Sequence, residues 1–239
     1  MKIGEKSDAQ IKEIIERLGN ALMAPKSHGY EKYVGKRIVE AAEEQMTELQ
    51  DSQKNAAIAV MGVVLGANRD WQRQVAKHLV RMRADESIKN ITFRQLLNRL
   101  QATNYKDFKA IWGHSDEKKF NTLKSLVEQI LIFGADHPTL NDVALMKEWA
   151  ETAKLENRAK DLLGGLANVG IATFQHLRMT FGVDTVKPDQ RVKEVLKNEF
   201  GVQLSNEKAI SAVEEIARIT GHRVHVVDQI FVKYGSGYY

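Results

Sequence analysis

The stretch LANVGIATFQHLRMTFGVDTVKPDQRVK, residues 166–193, decides how this chain is read. Leu166-Ala167-Asn168-Val169-Gly170 has the composition of a tight turn between two helices. Asn168 and Gly170 stand where a hairpin needs positive φ, since glycine has no Cβ to clash and asparagine is the next most tolerant residue. Ile171-Ala172-Thr173-Phe174 then opens a helix whose first N–H groups lack partners inside it and favour an anion, which in a basic protein is phosphate. Nineteen positions beyond Gly170, Lys187-Pro188-Asp189 marks another helix start. Pro188 fixes φ, and Val192, Val195, Leu196 and Phe200 form an apolar stripe downstream. Asp189 therefore heads that helix, and taken alone it is an N-cap. Asp184 falls in the preceding loop and is read as a turn-forming side chain before Thr185.

The combination resembles the helix-hairpin-helix DNA glycosylases, the superfamily of endonuclease III and of the adenine, alkylpurine and oxoguanine glycosylases. Their signature is Leu-Pro-Gly-Val-Gly and, further on, Asp-x-x-Val-x-Arg-Val. Leu166, Val169, Gly170, Asp189, Val192 and Val195 fit it. Ala167, Asn168 and Glu194 depart from it, and Ala172 stands where bifunctional members carry a Schiff-base lysine. The resemblance implies an all-α, two-lobed helical bundle. Residues 1–53 with 176–239 would form a discontinuous lobe, residues 54–165 a helical barrel lobe, and residues 158–180 the helix-hairpin-helix motif. It implies a flipped base held in a cleft between lobes with Asp189 at its mouth, and a monofunctional N-glycosylase in which Asp189 assists the attacking water. Asn168, Val169, Gly170, Ala172 and Thr173 would meet the backbone of double-stranded DNA, and Asn68 would fill the gap left by the extruded base. Lys187 is the amine nearest Asp189 in sequence and is counted among the DNA contacts. No cofactor is implied beyond a monovalent cation on the hairpin carbonyls.

Composition bounds these expectations. With 239 residues, 43% of them hydrophobic, the chain can bury a sizeable core. Few prolines and many Ala, Leu, Glu, Lys and Gln residues favour helix over sheet. The absence of cysteine excludes disulfides, thiolate metal sites and the iron–sulfur cluster of some members of the resembled family. The seven histidines show no metal-ligand spacing. The most apolar run, residues 56–67, is too short to span a bilayer, so a monomeric cytoplasmic protein without a membrane partner is expected.

A net charge of +4 does not by itself announce nucleic acid, but its distribution is uneven. Residues 69–99 hold Arg69, Arg73, Lys77, Arg81, Arg83, Lys89, Arg94 and Arg99 against Asp70, Asp85 and Glu86. Arg69, Arg73, Lys77 and Arg81 recur every four residues, which on one helix makes a basic ridge beside the apolar Val75, Leu79 and Met82. Such a ridge is either a solvated face or a track for phosphates. Trp71 beside it is read as a packing residue. Around this segment the periodicity predicts helices over about 8–18 after a Ser7–Gln10 cap with Gly19 as a stop, over 33–49, over a stretch apolar on nearly every face at 54–67, and over 92–100, 105–112, 118–133 and 140–153. Residues 158–163 are expected to be the first helix of the hairpin, and two helices follow residue 204. Residues 24–29 are expected to be a loop. Two other functions tolerate the same patterns: a non-catalytic helix-hairpin-helix DNA-binding protein in which Asp189 is only a cap, and a helical protein-binding scaffold.

Overall fold

A computed structural model describes residues 3–24, 30–52, 54–69 and 71–239, with the side chains of all of these except 46–52, 72 and 73. Most of the loop expected at 24–29 lies outside the described residues. The protein is all-α. Twelve α-helices form among the described residues: α1 Asp8–Asn20, α2 Ile38–Ser52, α3 Ala56–Gly66, α4 Ala76–Ala84, α5 Phe93–Ala102 and α6 Tyr105–Trp112, then α7 Glu117–Ala135, α8 Asp142–Thr152, α9 Ile171–Thr180, α10 Gln190–Phe200, α11 Asn206–Thr220 and α12 Val224–Tyr238. Leu22 and Arg37 make an isolated antiparallel bridge. The chain separates into two compact units, a split unit of Met1–Gln50 with Asp184–Tyr239 and a continuous unit of Asp51–Val183. The second crossing comes after α9 and not at residue 176, because Phe174, Leu177 and Phe181 are buried in the core of the continuous unit.

That core is built around α3. All eleven of its residues are buried, which an uninterrupted apolar sequence permits only when neighbours cover every face. α4, α5, α7, α8 and α9 pack on it. Its ends are satisfied by side chains, as a buried helix terminus requires. Asn55 Oδ1 accepts from Ile58 N at 2.9 Å while its Nδ2 donates to the carbonyls of Lys89 and Ile91. At the other end Lys119 Nζ donates to the carbonyls of Val64, Leu65 and Ala67, placing a cation on the negative end of the helix. Gly66 lets Trp71 lie close on α3: a Cβ there would come 2.9 Å from the Trp71 ring. The same ring meets His176 edge-on at 5.2 Å.

In the split unit α12 packs against α10, α11 and α1. α1 starts at the capping box formed by Ser7 and Gln10. Gly19 does not stop α1, which continues to Asn20; it is a close-packing site, 3.3 Å from Val39 for any added Cβ. α12 buries Val226, Val227, Ile230 and Phe231, but also His225, Asp228, Gln229 and Lys233.

Candidate active site

In the continuous unit, the segment expected to be the hairpin differs from its expected form at both ends. Residues 155–160 make a six-residue 3₁₀ turn, Leu155–Lys160, and 161–170 carry turns without an α-helix. The first helix of a helix-hairpin-helix is therefore absent as an α-helix. The physical reason is a set of side-chain bonds that hold the turns: Asp161 Oδ1 accepts the amides of Leu163 and Gly164 at 2.9 and 2.7 Å, and Arg158 Nη1 donates to the carbonyls of Gly164 and Val169. Asn168 does take positive φ, at 68°, and its Nδ2 donates to Thr122 Oγ1 at 3.3 Å. Gly170 does not: it is the N-cap of α9 with φ −75° and ψ 174°, extended backbone open to any residue. No side chain caps α9 at Gly170, and nothing lies within 4 Å of a Cβ placed there. The first amides of α9, at Ile171, Ala172 and Thr173, thus form an uncapped positive helix end beside an exposed glycine, with Ala172 and Thr173 half-buried and Val169 buried.

The basic segment of the same unit is gathered differently from the ridge its spacing predicts. Arg69 lies in the turn that follows α3, residues 71–75 form one turn of π-helix, and of the four only Lys77 and Arg81 share α4. The π turn shifts the register, so four-residue spacing no longer stacks one column. The side chain of Arg73 lies outside the described residues. Asn68 is exposed with φ 56°, ending α3 in the left-handed turn that asparagine tolerates at a helix C-terminus. Lys77 and Arg81 are exposed, Arg81 donating to Ile111 O, and Arg69 Nε donates to Gln74. Arg69 Nη1 is buried without a hydrogen-bond partner among the described residues. Two histidines that the spacing does not single out report the charge density. Burial first, then Arg81, Lys77, Arg69 and His114, pull His78 below its ordinary pKa, and burial, Arg69 and Lys119 do the same to His114 against Asp116. Their signal in the sequence is weak, because single histidines carry no spacing.

In the split unit, Asp189 is the N-cap of α10, its Oδ1 accepting from Val192 N at 3.1 Å. That is its one hydrogen bond through the side chain among the described residues, so Oδ2 is available. Asp184 does not serve its own turn: its two oxygens accept from the amides of Val224 and His225 and so cap α12, whose own N-cap, Arg223, offers no side-chain bond. Lys187 is half-buried, and its backbone N–H donates to Asp228 Oδ1 at 3.2 Å. Asp228 is 1% exposed. Burial and then the charge of Asp189 push its carboxyl up to about 7, against the lowering effects of Gln229 and Lys187. His225, 2% exposed with Nε2 lacking a hydrogen-bond partner among the described residues, is pulled down to about 4 by burial despite Asp184. The charge of the capping acid thus bears on the protonation of the buried one.

Among the described residues no group of three His, Cys, Asp or Glu side chains is placed to hold a metal, and no helix is long and apolar enough to cross a membrane. No protein-family model, curated protein or solved structure matches this chain.

Proposed function

We propose that this chain is a monofunctional DNA N-glycosylase that flips a damaged or mispaired base from duplex DNA and hydrolyses its N-glycosidic bond. The observation that carries the proposal is Asp189: a carboxylate at the head of α10, held through one oxygen by Val192 N, beside a second, buried acid. In this role Asp189 Oδ2 orients or deprotonates the water that attacks C1′, and its charge opposes the positive charge developing on the sugar. The cost of unstacking, a few kcal/mol, is smallest for damaged or mispaired bases, which favours them as substrates. The uncapped N-terminus of α9 at Gly170 and the cations around His78 support binding of the phosphate backbone, with Asn68 presented on an exposed left-handed turn. No cofactor enters this chemistry. Arg158 already bonds the carbonyls of Gly164 and Val169, so a monovalent cation in that turn would use other oxygens.

Incubation with duplexes that each carry one oxidised, alkylated, deaminated or mispaired base, scored for abasic sites, tests the proposal. Wild type should release a base from at least one, and Asp189→Asn should release it about 100-fold or more slowly with duplex affinity within a few-fold. Full activity in that variant sinks the assignment. Lys77→Ala should lower the slope of log affinity against log salt by about one if it meets a phosphate. Borohydride during turnover should trap no adduct, since Ala172 supplies no amine. A second proposal, DNA binding without catalysis, is favoured by the bond from Val192 N to Asp189, which accounts for that side chain as an ordinary N-cap. Salt-dependent duplex binding with no base released from any duplex would establish it.

A further inference from the structure

Buried carboxyls are uncommon because an ionised carboxylate gives up its water, and the chemistry proposed above makes no use of Asp228. Its surroundings are nonetheless ordered. Oδ1 accepts the backbone N–H of Lys187, and Oδ2 accepts Gln229 Nε2 at 2.9 Å. Gln229 Oε1 in turn accepts from Lys233 Nζ at 3.1 Å, and the same ammonium bonds Gln45. An ammonium only donates, so the amide of Gln229 can face only one way, oxygen toward Lys233 and N–H toward Asp228. A second link runs forward along the chain: Asp189 N donates to Lys187 O at 2.7 Å, closing a three-residue turn on Pro188. Asp228 grips the amide side of Lys187, the carbonyl of Lys187 grips the amide of Asp189, and the Asp189 side chain grips the first turn of α10.

We infer that Asp228 is the positioning residue of the Asp189 carboxylate: by accepting the amide of Lys187 it pins the Lys187-Pro188-Asp189 turn that sets Asp189 at the head of α10. Asp228 is enclosed, which favours its neutral form, and the nearby charge of Asp189 adds to that, so its carboxyl is raised to about 7. The charged groups bearing on Asp228 are Asp189 and Lys187 from the segment leading into α10, and on α12 Lys233 through Gln229, with His225 one turn away. The buried faces of the other two helices packed on α12 are apolar, with Ile11, Ile15 and Leu18 from α1 and Ile210, Val213 and Ile216 from α11. The inference rests on the proposed hydrolase only for the use made of the charge, which is to stabilise the sugar cation.

Carboxyl ¹³C titrations of the full chain decide the pairing without any substrate. The Asp228 signal should have its midpoint near 7, and in Asp189→Asn the midpoint should fall by roughly one unit or more as the like charge is removed. A midpoint unchanged in that variant, or one already below about pH 5, overturns the inference. Base release from whichever duplex the wild type processes gives the second arm. Asp228→Asn should slow release about 10- to 100-fold and remove the dependence on pH near neutrality, with duplex affinity unchanged. The introduced side chain sets its amide N–H against that of Gln229. The double variant Asp228→Asn/Gln229→Glu restores an acceptor between the introduced amide and Lys233, and should recover the fold and part of the rate. A single variant with the wild-type rate and pH profile refutes the positioning role. Should the wild type release no base at all, the hydrolase is refuted while the titrations still decide the pairing.

Discussion

α3 and α12 are both buried helices, each packed on by several others, and they are built on opposite principles. α3 is apolar on every face, with polar groups only at its capped ends. α12 carries His225, Asp228, Gln229 and Lys233 inside the split unit, each requiring a partner or a shifted protonation state. An apolar helix is held by contact alone and any well-shaped hydrocarbon serves, whereas a buried ionic row is rarely the most stable filling of its space. The difference separates a helix that supports the fold from one whose side chains hold a neighbouring loop in a particular place.

The largest expected effect is on α3. Leu65→Ala should cost about 2–5 kcal/mol, read by urea denaturation, with no dependence on pH between about 4 and 8. Comparable losses on α12 should appear only in pH windows. Asp228 has its pKa raised from 3.8 to about 7, so its contribution is complete below the lower value and is lost as pH rises through the upper. His225 is lowered from 6.5 to about 4, so its contribution is complete above 6.5 and is lost as pH falls through 4. The two slopes oppose each other between these limits. His225→Leu should therefore expose a fall of about 3–4 kcal/mol as pH is raised from about 4 to 7, and Asp228→Asn a fall of about 3 kcal/mol on acidification. Flat stability in both variants would erase the contrast between the two helices.

Two glycines sharpen it further. Gly66→Ala drives a methyl into the Trp71 ring, costing about 1–3 kcal/mol against a gain of about 1 in helix propensity, so a net loss of about 1 kcal/mol is expected in thermal melts. Gly170→Ala should change stability by no more than about 0.5 kcal/mol, since its φ is ordinary and the space is open. A loss above about 2 kcal/mol there would restore the strained hairpin that the sequence suggests.

Periodicity and caps are enough to find most helices. α6 begins and ends where expected, α3 and α7 lie within two residues of expectation, and Asp189 stands at a helix head as its sequence context predicts. Residues 155–170 escape such a reading because what shapes them is tertiary. Arg158 reaches two carbonyls six and eleven residues away, and Gly164 is needed because a Cβ there would meet Phe174 at 2.8 Å. The ridge dissolves because a π turn leaves no mark in a four-residue spacing. The buried row of α12 is hidden by its own regularity: polar residues at positions 225, 228, 229 and 233 trace the stripe that an ordinary surface helix shows to water. Only the enclosure of that stripe makes it unusual, and enclosure is a property of α1, α10 and α11 together.

The division of the chain also orders its synthesis. The continuous unit has all its residues in hand once position 183 has emerged from the ribosome, and α3 can be enclosed by helices that follow it closely. α1 and α2 must wait, their apolar faces uncovered, while the whole of that unit and then α10 to α12 are made. The packing of α12 on α1, which joins segments some two hundred residues apart, is therefore among the late assemblies of this protein, and the Asp189–Asp228 pair waits on the same helix.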